Sequence, residues 1–181
     1  MEHKGTKEIE TQRLVLRKIK LKDAKNLTEL LLDKDVQEFL AGIPSNYTID
    51  MAINYINNVL KPKYKEKDYY DWAVVEKDSN KLIGRIGLFK QDDTRKMADL
   101  VWYLNKNFRC KGYTTEAVKE VVKFLQSVGF KRIEAFANIE NKASQKVMEK
   151  CGFSYEGTLR KYDLTREGDL YDANMFSITT D

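Results

Sequence analysis

The stretch from Val101 to Ala117 reads VWYLNKNFRCKGYTTEA, and its pattern predicts a strand, a basic turn and the start of a helix. Such a turn directs backbone N–H groups and the positive end of a helix dipole at one point, which suits a phosphate group. Arg109 and Lys111 add two cations at this turn, which contains one glycine, Gly112. The stretch therefore predicts an anion site, and a basic loop that only caps the helix is the alternative.

The length and composition are those of one globular domain. The 181 residues are 42% hydrophobic and 33% charged, which is enough to bury a core. We predict a flexible polar tail over residues 1–8 and a single domain over residues 9–181. The tail lacks the apolar stretch of a secretory signal, and no apolar run is long enough to span a bilayer. The two cysteines make no disulfide framework, so we expect a cytoplasmic protein without a membrane partner.

The charges are nearly balanced, with 32 basic against 28 acidic residues and a net charge of +4. A nucleic-acid-binding protein usually concentrates its basic residues on one face, so we expect no direct nucleic-acid partner. The single histidine, His3, lies in the predicted tail. Mechanisms that depend on a histidine base or on histidine metal ligands are therefore disfavoured, and we predict no bound metal.

Hydrophobic periodicity and turn residues predict an α/β fold. Strands are expected at 13–19, 71–76, 81–89, 96–104, 133–137, 153–160 and 170–178, and helices at 23–31, 48–60, 115–128 and 141–151. The three strands between residues 71 and 104 follow one another through short turns, as in an antiparallel meander. The whole order predicts a central mixed, mostly antiparallel sheet of about seven strands with helices on both faces.

Four short motifs occur in order along the chain. They read ETQRLVLR at 10–17, RCKGYT at 109–114, NIENKASQKVMEKCGF at 138–153, and EGTLR at 156–160 followed by Asp172. The second resembles the Arg/Gln-x-x-Gly-x-Gly/Ala turn of the GNAT superfamily of acetyl-CoA-dependent N-acyltransferases, with Thr114 in place of the last Gly or Ala. The other three are similar to the branch that holds the ribosomal-protein alanine and serine N-terminal acetyltransferases. The resemblance covers roughly residues 8–178.

The resemblance implies the GNAT acyl-CoA N-acyltransferase fold and an N-acetyltransferase activity. In this family a primary amine attacks acetyl-CoA directly, through a tetrahedral intermediate. The acceptor implied first is a protein N-terminal α-amino group of the ribosomal-protein type. Two alternatives stay open: acetylation of a small amine such as a polyamine, an amino acid or an antibiotic, and a non-catalytic acyl-CoA-binding module. Monomer and homodimer are both open.

The resemblance also implies which residues hold acetyl-CoA. Backbone N–H groups of residues 111–115 would cradle the pyrophosphate, and Arg109 would add charge. Asn138 and Asn141 would meet the pantetheine arm, and Asn141 also has the position of a helix N-cap. The full set of expected cofactor-binding residues is Trp102, Leu104, Arg109, Cys110, Lys111, Gly112, Tyr113, Thr114, Thr115, Asn138, Asn141 and Ser144.

Ser144 is one of two predicted catalytic residues. At about 100° per residue, its hydroxyl lies beside an apolar helical stripe that includes Val147 and Met148. The resemblance implies that this hydroxyl protonates or stabilises the leaving CoA thiolate, because Met148 stands where many GNAT branches have a tyrosine. A hydroxyl bonded to the backbone carbonyl four residues earlier is the alternative.

Asp99 is the other predicted catalytic residue. Strand alternation places it on one face with Val101 and Tyr103. The resemblance implies that it is the general base for the attacking amine, since a glutamate often stands at this position in the branch. A surface carboxylate paired with a lysine is the alternative.

Further candidates come from the same comparison of motifs. They are Glu134 and Asp172 for the substrate ammonium, and a backbone N–H of Leu104 or Asn105 for the oxyanion. Tyr47, Trp72 and Tyr162 are aromatic candidates for the acceptor pocket, and core or surface packing is the alternative for each.

Overall fold

One sheet organises the protein, whose computed structural model describes residues 1–38 and 43–181. Its strands are β1 Ile9–Glu10, β2 Leu14–Arg17, β3 Asp71–Glu76, β4 Lys81–Asp92, β5 Met97–Leu104, β6 Arg132–Asn138, β7 Ser154–Leu164 and β8 Leu170–Thr179. Within the described residues these eight strands lie in the order β1-β2-β3-β4-β5-β6-β8-β7, with β5 and β6 parallel and every other neighbouring pair antiparallel. The predicted mixed, mostly antiparallel sheet is confirmed, and the two-residue β1 is the strand that the sequence pattern missed.

Helices cover both faces of the sheet. They are α1 Ala24–Leu31, α2 Lys34–Gln37, α3 Ile49–Tyr55, α4 Lys61–Lys63, α5 Tyr113–Ser127 and α6 Lys142–Lys150. A π-helical turn over Ile56–Leu60 joins α3 to α4, so this helical segment includes Pro62, which the sequence predicted to end it, and stops at Lys63. Apolar residues of α5 and α6 enter one hydrophobic core, and those of α1 and α3 enter a second core on the opposite face.

The central strand β5 contributes to both cores because its side chains alternate. Ala98, Leu100 and Leu104 belong to the core under α5 and α6, whereas Tyr103 packs against the core under α1 and α3. Asp99 is four positions before Tyr103, and because side chains alternate along a strand, the two lie on the same face of the sheet. The alternation predicted for this strand is confirmed.

The parallel pair β5 and β6 is hydrogen-bonded over only three positions. Met97 pairs with Arg132, Ala98 with Ile133, and Asp99 with Glu134. Both strands then continue, β5 to Leu104 and β6 to Asn138, without further pairing with each other. The sheet therefore has an opening between the carboxyl-terminal halves of its two middle strands.

The N-terminal segment, residues 1–8, lies against the domain in the structure. The His3 ring is 2.9 Å from the Tyr70 hydroxyl and 2.9 Å from Asp93 Oδ2, and the Thr6 hydroxyl donates to the carbonyl of Tyr69. The flexibility expected of this segment stays a prediction. None of the helices in the two described ranges has the length and apolar character needed to cross a membrane.

Candidate active site

The turn before α5 has the geometry of an anion site. Gly112 adopts a left-handed conformation, with φ of 82°, and immediately precedes the helix. Glu116 makes the first intrahelical hydrogen bond, to the Gly112 carbonyl, and within the described chain no side chain caps this end. The N–H groups of residues 113–115 therefore have no partner inside the helix, and the helix dipole adds positive potential where they point.

Glu116 holds this turn against the start of β2. Its Oε1 accepts hydrogen bonds from the Thr11 hydroxyl at 2.6 Å and from the Arg13 N–H at 2.8 Å, and its Oε2 accepts from Arg13 Nε at 2.7 Å. Arg13 Nη1 also donates to the Lys111 carbonyl. Burial alone would raise the pKa of Glu116, but these hydrogen bonds lower it below its usual value. The carboxylate therefore has a structural task and fixes the shape of the turn.

The Arg109 side chain is directed away from the end of α5. Its Nε donates to the Leu104 carbonyl at 3.0 Å, and its guanidinium pairs with Asp33 at 3.2 Å and Asp35 at 2.5 Å. Its positive charge is thus matched by two carboxylates at the start of α2. The expected contribution of this charge to phosphate binding stays a prediction, and the exposed Lys111 ammonium is the nearer cation in sequence to the helix end.

The opposite side of the opening begins with α6. Asn141 caps this helix, since its Oδ1 accepts the Ser144 N–H at 3.1 Å; the predicted cap is confirmed. Gln145 anchors the same turn, because its Nε2 donates to the carbonyls of Asn138 and Ile139 while its Oε1 accepts from Asn174. Gln145 was not among the predicted residues.

Ser144 lies half-buried at the first turn of α6. Its helix packs on the core through Met148, which is fully buried, and approaches α5 through Cys151, whose thiol donates to the Thr115 carbonyl at 3.6 Å. The Ser144 N–H is bound by Asn141, whereas its hydroxyl makes no hydrogen bond to any residue in the described ranges. The alternative of a hydroxyl bonded to the carbonyl four residues earlier is therefore wrong for this structure.

Asp99 and Glu134 form a buried carboxyl pair at the closed end of the opening. They are the last paired residues of β5 and β6, and they are 9% and 8% exposed. The pKa of Asp99 is raised to about 6, first by burial and then by the hydrogen bond and charge of Glu134, against the opposite influence of Lys90 and Arg132. Asp99 is therefore a buried group with a near-neutral pKa, and not the surface carboxylate of the alternative interpretation.

Ser144 and Asp99 approach the opening from opposite faces of the sheet. Ser144 belongs to α6, which packs on one core, whereas Asp99 shares its face with Tyr103, which packs on the other. The structure thus places the two predicted catalytic residues on opposite faces of the sheet, and their catalytic roles stay predictions.

The two predicted oxyanion donors, the N–H groups of Leu104 and Asn105, point in different directions. The Asn105 N–H donates to the Ile83 carbonyl at 2.8 Å, so it is used within the sheet. This bond makes Gly84 and Leu104, which face each other, a non-hydrogen-bonded pair of the antiparallel ladder. The Leu104 N–H therefore points away from β4 and toward the opening.

A cavity of about 580 Å³ lies on the α1 and α3 face of the sheet. Its described lining residues are Leu31, Ile43, Pro44, Tyr47, Asp50, Met51, Asn54, Tyr55 and Arg85. Arg85 donates to Asp71 at 2.6 Å and to the hydroxyls of Tyr103 at 3.2 Å and Tyr55 at 2.9 Å. Since Tyr103 is also on the face of Asp99, the cavity and the carboxyl pair open on the same side.

The three aromatic candidates fall in different places. Tyr47 lines the cavity, and Tyr162 packs edge-on against Phe136 with ring centroids 4.9 Å apart. Trp72 is fully buried in the core, and its Nε1 donates to the Lys7 carbonyl. Trp72 is therefore a core residue, which is the alternative that the sequence left open for it.

Comparison with known proteins identifies the family. A family model described as an acetyltransferase (GNAT) domain matches residues 13–154. The chain belongs to the GNAT family. Two named N-acetyltransferases, YoaA of Bacillus subtilis and p20 of Bacillus licheniformis, are each 30% identical to it. The matches cover 94% of this chain and 95% of YoaA, and 93% of both this chain and p20.

Solved structures of other GNAT proteins share the fold. A ribosomal-protein-S5-alanine acetyltransferase from Vibrio fischeri aligns with a TM-score of 0.84 at 21% identity over 97% of each chain. The microcin C7 self-immunity acetyltransferase MccE, solved in complex with acetyl-CoA and AMP, aligns with a TM-score of 0.83 at 23% identity over 94% of each chain. The protein is thus a GNAT N-acetyltransferase, as its motifs predicted.

Among the described residues, no group of three or more His, Cys, Asp or Glu side chains is placed to hold a metal ion.

Proposed function

We propose that this GNAT protein binds acetyl-CoA across the opening between β5 and β6 and transfers its acetyl group to a primary amine. The observation that carries the proposal is the early end of the β5 and β6 pairing, which leaves a gap between a free helix N-terminus and a buried carboxyl pair. The N–H groups of residues 113–115 suit a pyrophosphate. The left-handed Gly112 fits this use, and Thr114 needs to contribute only its backbone.

The residues around the gap supply the steps that acetyl transfer needs. Asp99 takes a proton from the substrate ammonium, which leaves the nitrogen lone pair free to attack. The Leu104 N–H stabilises negative charge on the acetyl oxygen. The Ser144 hydroxyl, which has no partner in the described chain, donates to the departing sulfur on the other face of the sheet.

For the acceptor we propose a protein N-terminal α-amino group. The motif at 138–153, with its ends at 10–17 and 156–160, is similar to the branch that acetylates ribosomal-protein N-termini. Side chains on the face of Asp99 also leave room for a peptide, since Val101 is 39% and Tyr162 43% exposed. An extended peptide can lie on such an apolar, accessible surface with its amine at the carboxyl pair.

A small-molecule amine is the second candidate, and the cavity beside Arg85 is the observation that favours it. A volume of about 580 Å³ lies within the usual range for small-molecule sites. Its described lining is mainly apolar and aromatic, with Asp50 as one carboxylate. This lining suits an amine with an apolar body better than a polyamine, which needs several acidic partners.

The decisive experiment measures release of free CoA thiol from acetyl-CoA in the presence of candidate acceptors. Peptides with a free N-terminus are compared with the same peptides carrying a blocked N-terminus, and with amino acids, polyamines and aminated aromatic compounds. We expect release with free peptides and none with blocked ones. Release with small amines alone would replace the protein acceptor by the second candidate.

Thermal unfolding gives a test that needs no acceptor. A ligand of the native state at a hundredfold excess over its Kd stabilises a protein by about 2.7 kcal/mol, so acetyl-CoA is expected to raise the melting temperature. Acetate and free adenosine serve as controls that lack the intact ligand. No shift with acetyl-CoA would contradict the proposed binding site.

A further inference from the structure

We infer that Glu134, held by Arg132, is a positioning residue whose negative charge makes the Asp99 carboxylate a stronger proton acceptor. This inference rests on the proposed role of Asp99. Asp99 and Glu134 face each other as the last parallel pair of β5 and β6, and neighbouring strands lie about 4.8 Å apart, with paired side chains on the same face. Both are less than a tenth exposed. Two buried carboxylates this close are costly to ionise together, so a proton that the pair takes up is held more tightly than it would be by either group alone.

Arg132 decides which carboxyl keeps the negative charge. Its Nε donates to Glu134, and its Nη groups donate to Glu156 and to the Ser177 hydroxyl. Ser177 in turn donates to Glu156 at 2.5 Å. In the described chain Asp99 has no ion pair of its own. The guanidinium therefore stabilises the charge of Glu134, and Asp99 is the carboxyl of the pair that takes up and releases the proton.

The other charged and titratable groups near the pair are few. Lys90 of β4 stands opposite Asp99 in the ladder and favours its charged form. The pKa of Tyr162 in β7 is raised first by burial and then by the negative charges of Asp99, Asp163 and Glu134. Burial and Glu134 outweigh Lys90 and Arg132, and the raised pKa of Asp99 agrees with this balance.

The proton balance of the step is simple. The substrate ammonium gives one proton to the Asp99 carboxylate, which becomes a neutral acid and donates a hydrogen bond to the Glu134 carboxylate. The neutral amine then adds to the acetyl carbon to form a tetrahedral intermediate, and the C–S bond breaks as this intermediate collapses. The nitrogen releases its second proton to solvent, and the departing thiolate takes the Ser144 proton, which solvent restores. Asp99 later returns its proton to water, and Glu134 is unchanged throughout.

The first test compares the pH dependence of kcat/KM for the wild type and Glu134→Gln. Loss of the neighbouring charge makes the Asp99 proton easier to remove, so the acid limb should move to lower pH by about one unit. Glu156→Gln is the matched control, because it removes another carboxylate bound to Arg132 that does not pair with Asp99. Its acid limb should stay close to that of the wild type. Lower activity of Glu134→Gln with an unmoved acid limb would overturn the inference.

The second test does not depend on turnover. Carboxyl carbon NMR of the full-length protein follows the titration of Asp99 in the wild type, in Glu134→Gln and in Glu134→Asp, which keeps the charge. The Asp99 midpoint should fall in Glu134→Gln and stay nearer the wild-type value in Glu134→Asp. If the midpoint falls but no amine is acetylated, the carboxyl pair stands and the proposed function fails. If acetylation occurs and the midpoint does not fall, the inference fails alone.

Discussion

At the scale of single residues, the Ser144 hydroxyl in α6 can have either a structural or a catalytic role. The Asn141 side chain already binds the Ser144 N–H, so the start of the helix does not need the Ser144 hydroxyl. Half-buried and without a partner in the described ranges, this hydroxyl has a free donor on the side of the sheet opposite Asp99. A structural serine usually bonds its own helix backbone, and this one does not.

Replacing Ser144 by alanine therefore tests chemistry with little effect on folding. We expect kcat to fall roughly 100-fold, in the range of general acid catalysis, while the KM for acetyl-CoA and the melting temperature change little. Ser127→Ala is the control, since that hydroxyl is exposed and donates to the Phe124 carbonyl at the far end of α5. Equal turnover in both variants would remove Ser144 from the mechanism.

At the scale of elements, the turn before α5 depends on a backbone shape that glycine favours. Gly112 has φ of +82°, and a Cβ there would lie 3.4 Å from Arg13 Nη2. Arg13 also fixes the turn through Glu116 and the Lys111 carbonyl. A side chain at this position thus strains the backbone and contacts the residue that shapes the anion site.

Gly112→Ala and Gly168→Ala form a matched pair of variants. Gly168 also has a positive φ, of +91°, but nothing lies within 4 Å of its added Cβ. Each substitution should lower the free energy of unfolding by about 1–2 kcal/mol, the cost of a left-handed alanine. Only Gly112→Ala should also weaken acetyl-CoA binding, by about tenfold, or ~1.4 kcal/mol. Isothermal titration and denaturant unfolding measure the two effects, and equal affinities would exclude the turn as the binding site.

The elements were largely predictable from sequence, because periodicity reports which face of a strand or helix is buried. The alternation in β5, the Asn141 cap and the break at Gly112 all follow from local patterns. The partners of Arg109 were not predictable in this way. Asp33 and Asp35 reach it only because the chain folds α2 back beside the end of β5, and no local rule encodes that contact.

At the scale of the whole molecule, the sequence predicted which residues form the site but did not predict how they are arranged in space. Asp99 and Glu134 were each candidates, but their pairing depends on the register between β5 and β6, which period-two patterns leave undetermined. The same holds for the separation of Ser144 and Asp99 on opposite faces. The motifs indicated the chemistry, and long-range packing decided the geometry.

The carboxyl pair has a cost in stability that can be measured. The native pKa of Asp99 is about 6, above the usual value for an aspartate, so the native state binds this proton more tightly than the unfolded chain does. Its contribution to stability is therefore present below about pH 4 and is lost as the pH rises through 6. Asp99→Asn should consequently stabilise the protein at pH 7.5 by about 1–3 kcal/mol, with little gain at pH 4, while abolishing turnover.

Denaturant unfolding at both pH values checks this, with the exposed turn residue Asp78→Asn as the control. A variant less stable than the wild type at pH 7.5 would contradict the raised native pKa.

The short pairing of β5 with β6 also affects how firmly the two halves of the sheet are connected. Three ladder positions connect a sheet half made of β1 to β5 with a half made of β6, β8 and β7, and α5 bridges them through the thiol contact of Cys151. Apart from the two positions that join the edge strand β1 to β2, this seam is the shortest ladder of the sheet among the described residues. A ligand bound along that seam contacts both halves of the sheet, and it therefore also strengthens the connection between them.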